Sequence, residues 1–276
     1  MPNQSAALPS LRDLAIHNKL PQFQHMDKTT WNWINQNNPH FETEPFPATD
    51  SFYDWFQALR IPQAWFLEKR IIHATHGLRH LWRSAYYSLY LARILALDEV
   101  GVKQAIIASL LHDIRRENDK NDPGHGNRSA DWFRSHAAGI TSQWHINLSP
   151  EDITTISIAI SLHEVPYCDF SPMQADAYQK YKAVIDIVKT ADALDRYRMP
   201  KLTWWINDDH LRLIPSQSLR QLAFEAVLDS EGHYLQSTDS LEALGYAFSV
   251  AEKPSASHTT TWSDVHFFYP RFGELV

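Results

Sequence analysis

Two residues capable of chemistry stand side by side at the end of an apolar run, in the stretch Leu110-Leu111-His112-Asp113. An imidazole nitrogen and a carboxylate oxygen together suit a first-row transition metal. Two neighbours do not make a site, so further ligands must arrive from elsewhere in the chain. The candidates are His80, His125, His163 and Asp192, each on or beside a segment with helical spacing. Tyr181, Ile185, Val188 and Asp192 recur along one such face, which gives Asp192 a core-facing position. An ionised carboxylate is costly there unless it is paired or binds a metal.

The elements that must position these residues read as helices. A long helix is predicted over 77–97, with His80, Ser84, Tyr87 and Leu91 on one face. Gly101 breaks the chain, and the next helix runs over 102–113. The stretch 115–126 is charged and rich in turn formers, so it reads as a loop. A helix follows over 128–138, with His125 just before it. Ser149, Pro150, Glu151 and Asp152 form a strong helix start, and Ile153, Ile156, Ile160 and His163 carry its stripe. A long helix over 173–196 ends at Pro200. Shorter helices are predicted over 10–19, 30–37, 218–228 and 240–250. Another begins at Asp50 or Ser51 and carries Phe52, Trp55, Phe56 and Leu59. Loops are expected over 38–49 and 253–263. A short hairpin over 202–213 is the single strand candidate, and the aromatic tail Phe267, Phe268, Tyr269 and Phe272 is expected to pack back on the body. The class is all-α: a single domain over 1–276, with a core at about 70–200 and helical extensions over 1–69 and 201–276.

Composition narrows the function classes. The chain has 276 residues and a formal net charge of -7, so a broad basic surface for long nucleic acid is not expected. A local basic pocket for a small phosphate compound remains compatible. A single cysteine, Cys168, excludes an internal disulfide framework and fits a reducing compartment. No signal-peptide core or membrane-length apolar run is present, so a cytoplasmic protein without membrane attachment is the expectation. Fifteen histidines invite a metal reading.

The order His, His-Asp, Asp resembles the HD superfamily of metal-dependent phosphohydrolases. The matching pieces are HGLRHLWRSAYY, ASLLHDIRREND, PGHGNRSADWF, ISLHEVPY and VIDIVKTADALDR, which together span about half the chain. The resemblance implies a helical bundle in which His80, His112, Asp113 and Asp192 ligate the first metal. His80 fits better than His76, because Arg83 stands at the third place after it; His76 and Arg83 then support the ligands from behind. The resemblance extends to binuclear members such as the HD-GYP phosphodiesterases, whose additional histidines match His125 and His163. The chain lacks the Gly-Tyr-Pro signature. It also lacks the Glu-Asp pair of alarmone hydrolases, with Arg116-Glu117 standing nearby instead.

One or two divalent ions are expected, with Mn, Fe, Co, Ni or Zn favoured over Mg by the histidine-rich set. Such ions acidify water and polarise a phosphoryl oxygen, and Asp113 is the natural bridge between two of them. Arg116 and Lys189 are the leading candidates for binding phosphate, with Arg128 and Arg196 next. His125 could meet metal, phosphate or both, and Asp119 or Glu117 could orient water or carry a proton. The expected activity is hydrolysis of a nucleotide or other small phosphate ester, with a homo-oligomer compatible with the extensions. The alternatives are an HD-fold di-iron oxygenase and a non-catalytic nucleotide-binding protein.

Overall fold

An amphipathic helix must bury its apolar stripe, and a chain with helical spacing throughout does so by packing helix on helix. A computed structural model describes residues 8–42 and 52–251, and every regular element among them is helical. Two short helices, α1 (Leu11–Ile16) and α2 (Lys28–Gln36), lead to α3 (Phe52–Ala58). The central elements are α4 (Leu78–Ile94), α5 (Glu99–Leu111), α6 (His125–Trp144), α7 (Pro150–Leu162) and α8 (Pro172–Leu194). After a 3-10 turn at Asp195–Arg198 the described residues continue to α9 (Gln217–Ser237) and α10 (Ser240–Ala251). Ser10, Ser149 and Ser171 each start a helix through a reciprocal capping box.

Helix α4 is the hub. It packs on α5 and α8 on one side and on α9 and α10 on the other, while α7 joins α5, α6 and α8. Every residue from Leu78 to Ala92 is therefore buried, including Arg79, His80 and Arg83. One continuous apolar cluster runs from Ile34 through the central helices to Phe248, so the terminal helices share the core of the central ones.

Several predicted boundaries shift for identifiable reasons. Helix α6 begins at His125, three residues before the predicted start, because Gly124 adopts a left-handed φ of 81° that turns the loop into it. It also runs on to Trp144, since Ala137, Ile140 and Trp144 extend the buried stripe. Helix α9 extends to Ser237, well beyond the predicted end. The 202–213 hairpin does not form; 3-10 turns at Leu202–Trp204 and Asp208–His210 take its place. The Asn207 side chain accepts from Asp209 N–H, and this local turn chemistry overrides the strand alternation. The helix start at Asp50 or Ser51, the 253–263 loop and the aromatic tail lie outside the described residues. Among the described residues no helix is long and apolar enough to cross a membrane.

Candidate metal centre

His80 lies on the first turn of α4, and His112 follows the last residue of α5. His112 Nδ1 donates to the Ser109 carbonyl at 2.7 Å, and His80 Nδ1 faces Asp195 Oδ2 at 2.8 Å. With Nδ1 of each ring spent on these partners, the Nε2 atoms are the ones left to offer lone pairs to a cation. Those two Nε2 atoms stand 3.0 Å apart. Two lone pairs at that separation repel unless a cation lies between them. Asp192 Oδ1 is 3.4 Å from His80 Nε2 and 4.0 Å from His112 Nε2, and Asp113 Oδ2 is 3.6 Å and 3.9 Å from the same atoms. The Asp192 side chain is 32% exposed, at the mouth of the centre rather than deep in the core.

The arrangement recurs a few ångströms away. His163 follows α7 and donates from Nδ1 to the Ile160 carbonyl at 2.7 Å; His125 opens α6 and donates to the Asp122 carbonyl at 2.7 Å. Their Nε2 atoms are again 3.0 Å apart. Asp113 Oδ1 lies 2.9 Å from His125 Nε2 and 3.4 Å from His163 Nε2. This oxygen is buried, yet lacks a hydrogen-bond partner of acceptable geometry. In His112, His125 and His163 alike, Nδ1 is held by the carbonyl three residues earlier, which fixes the tautomer and aims Nε2 inward. Ligand atoms of His80, His112 and Asp192, and of His112, Asp113 and His163, lie within 4.8 Å of one another, so these groups could hold a metal ion.

Two further residues hold the second pair in place. Glu164 accepts from Gly126 N–H at 2.8 Å and sits 3.0 Å from His125 Nδ1, neutralising the N-terminus of α6. Gly126 is required for this approach, because a Cβ there would stand 2.9 Å from the Ile160 carbonyl oxygen and 3.2 Å from His163 Cε1. Burial raises the Glu164 pKa, but His125 and Gly126 outweigh it and hold the carboxyl at about 2.

The centre's electrostatics suit a cation. Burial pushes His112 down to about 3 against the pull of Asp113, so the ring is neutral and free to ligate. Burial also opposes a charged Asp113, yet Arg116, His125 and His112 hold its pKa well below the usual carboxylate range. Burial disfavours a charged His125 as well, but Asp113 and Glu164 on its two edges lift it to about 10. A positive charge is thus strongly favoured at this spot.

The remaining candidates divide. Arg116 faces the centre: Nη1 is 3.5 Å from Asp113 Oδ2, while Nε and Nη2 are anchored on the Asn118 and Lys120 carbonyls. His76 sits beside His80, with ring centroids 5.7 Å apart, and its Nδ1 is 2.8 Å from Asp119 Oδ1. Asp119 also accepts from Gln24 N–H at 2.8 Å and from His76 N–H at 3.1 Å, so its carboxylate fastens the loop and His76 rather than standing free for water. Lys189 is taken up by backbone: Nζ donates to the carbonyls of Leu162, His163 and Val165 at 2.9, 2.8 and 2.6 Å. Glu117 points to solvent, with 60% side-chain exposure, and lies beside Arg128. Arg128 is engaged by Asp122 at 2.6 Å and by the Arg115 carbonyl at 3.2 Å. Arg196 lies beyond the centre on the wall of a neighbouring cavity.

Arg83 reaches His80 through a partner that spacing alone did not single out. Its Nε and Nη2 grip Asp195 at 2.5 and 3.0 Å, and Asp195 in turn holds His80. On its far side Arg83 Nη1 meets Glu231 of α9 at 2.8 Å, and Glu231 also holds Arg79. Burial opposes a charged Asp195, but Arg83, Arg198 and His80 keep it ionised well below its ordinary value. Asp195 stands three residues after Asp192 and Glu164 directly after His163, both inside the matching stretches, and nothing in their spacing marked either as a support.

Comparison with protein-family models, with curated proteins and with solved structures finds no match to this chain.

Proposed function

We propose that the chain is a metal-dependent phosphohydrolase of the HD type, acting on a nucleotide or another small phosphate ester. The observation that carries this reading is the pair of facing imidazole couples, each with Nε2 atoms 3.0 Å apart, with one oxygen of Asp113 turned to each. His80, His112, Asp192 and Asp113 would hold one ion, and His125, His163 and Asp113 a second. The ligand set suits Mn, Fe, Co, Ni or Zn. Bound divalent ions acidify water and polarise a phosphoryl oxygen.

The chain's own groups supply the rest. Arg116 keeps one guanidinium nitrogen at the centre while two backbone carbonyls fix its fork, so it can grip a phosphate oxygen without reorganising. Asp195 fixes the His80 tautomer, and Glu164 does the same service for His125. Asp119 holds His76 by Nδ1, so the Nε2 edge is the one left for substrate.

The test is phosphate release from a panel of phosphate esters under anaerobic conditions, with each metal added in turn. Metal-dependent release that Asp113→Ala abolishes is expected. Oxygen consumption without phosphate release would overturn the reading in favour of a di-iron oxygenase. Intact metal binding with no turnover on either assay would leave a binding protein.

A further inference from the structure

Beside the centre opens a cavity of about 610 Å³ lined by Leu20, Gln24, His76, Asp119, Lys120, Asn121, Arg196, Met199 and Trp204. Its volume falls in the range of sites for drug-sized ligands, far more than a phosphate group alone requires. His76 and Asp119 line the cavity, and His76 stands beside His80 with ring centroids 5.7 Å apart, so the cavity adjoins the centre at His76. Four separate parts of the chain build it: the segment before α2, His76 just before α4, the loop between α5 and α6, and the turns after α8.

Charge and chemistry are unevenly spread over its walls. The acid Asp119 is already satisfied by Gln24 and His76. Lys120 and Arg196 face no carboxylate among the described residues; Arg196 spends only Nε, on the Trp204 carbonyl at 2.5 Å, which also fixes that turn. Arg198 lies behind, buried and already paired with Asp195 at 3.2 Å, so it adds no free charge to the cavity. In a protein of net charge -7, two exposed cations without a carboxylate partner among the described residues thus line this cavity. Leu20, Met199 and the half-buried Trp204 give the same cavity an apolar, aromatic wall.

We propose that this cavity recognises the organic half of the substrate, with Trp204 against an aromatic ring and Lys120 and Arg196 on a second anionic group. The inference rests on the phosphohydrolase reading for the position of the scissile phosphate, but not for the recognition itself. The ligand class is an aromatic phosphate ester with a further negative charge remote from the reacting phosphate, as in a nucleoside bisphosphate.

Binding of four probes to the full chain by calorimetry tests it: adenosine 3′,5′-bisphosphate, adenosine 5′-monophosphate, ribose 5-phosphate and inorganic phosphate. The bisphosphate should bind at least fivefold more tightly than the monophosphate, and the double variant Lys120→Ala, Arg196→Ala should erase that margin. Trp204→Ala should weaken both nucleotides at least fivefold, as loss of base stacking does, and leave ribose 5-phosphate unchanged, while Trp204→Phe restores binding. Equal affinity for all four probes, or indifference to these variants in a chain that circular dichroism shows to be folded, would overturn the proposal. Nucleotide binding with this dependence but no phosphate release supports the cavity and removes only the reaction. Phosphate release with no dependence on Trp204, Lys120 or Arg196 removes the cavity and leaves the reaction.

Discussion

Asp113 faces both histidine couples, one oxygen to each, from a position that is 2% exposed. A buried carboxylate oxygen without a hydrogen-bond partner is costly, and a cation shared with imidazole nitrogens removes that cost. In the metal-free chain a proton on His125 serves in its place, since the flanking carboxylates lift that ring to about 10. The sign follows from linkage: a raised folded pKa stabilises the fold below the ordinary histidine value of about 6.5, and the benefit is lost as pH rises through the folded value. Metal must displace this proton, so metal uptake at pH 7.5 should release about one proton per chain from His125. Calorimetric titration in two buffers of different ionisation enthalpy measures it. His125→Ala should remove the release; an unchanged release would place the proton elsewhere.

At the scale of elements, the candidate histidine ligands sit where helices begin or end. His112 and His163 follow the last residues of α5 and α7, His125 opens α6, and His80 lies on the first turn of α4. Helix ends leave carbonyls and N–H groups unpaired, and these serve to hold imidazole Nδ1 atoms or, through Glu164, the start of α6. Lys189 performs the same task for the end of α7. Burial pushes its pKa down to about 8, yet three carbonyls fix the ammonium in place. Lys189→Met should therefore lower stability by about 2–4 kcal/mol in urea unfolding, as buried acceptors lose their donor, with metal retained. Unchanged stability with weakened substrate binding would return Lys189 to the phosphate site.

These element-level features explain what the sequence disclosed. The helical spacing around His80, His112, His163 and Asp192 was legible because apolar stripes flank each of them. The burial of Lys189 was not, since a lysine one turn from a ligand suggests a phosphate contact until its carbonyl partners are known. The full reach of α9 was hidden for a related reason. Its buried face continues past Val227 as Ser230 and Glu231, and apolar periodicity cannot register a stripe completed by charge.

Across the whole molecule, the terminal helices complete the centre. Arg79 and Arg83 of α4 are buried, and Glu231 of α9 pairs with both, while Arg83 passes that support to Asp195 and so to His80. A buried ion pair broken on one side costs about 3–5 kcal/mol, because the partner charge stays buried. Glu231→Ala should lower stability by about that amount and weaken metal affinity on the His80 side. Wild-type stability and affinity in that variant would show the α9 contact to be incidental. On the opposite side Gln24 fastens Asp119, so the segment before α2 also holds the loop beside the centre.

The most direct measurement is the metal content of the purified full chain, by mass spectrometry against protein amount from amino-acid analysis. Two ions per chain are predicted in the wild type, one in His163→Ala and none in Asp113→Ala, with helical circular dichroism retained throughout. A wild-type chain that takes up no transition metal, or an Asp113→Ala chain that keeps its full complement, would contradict a centre built on that carboxylate.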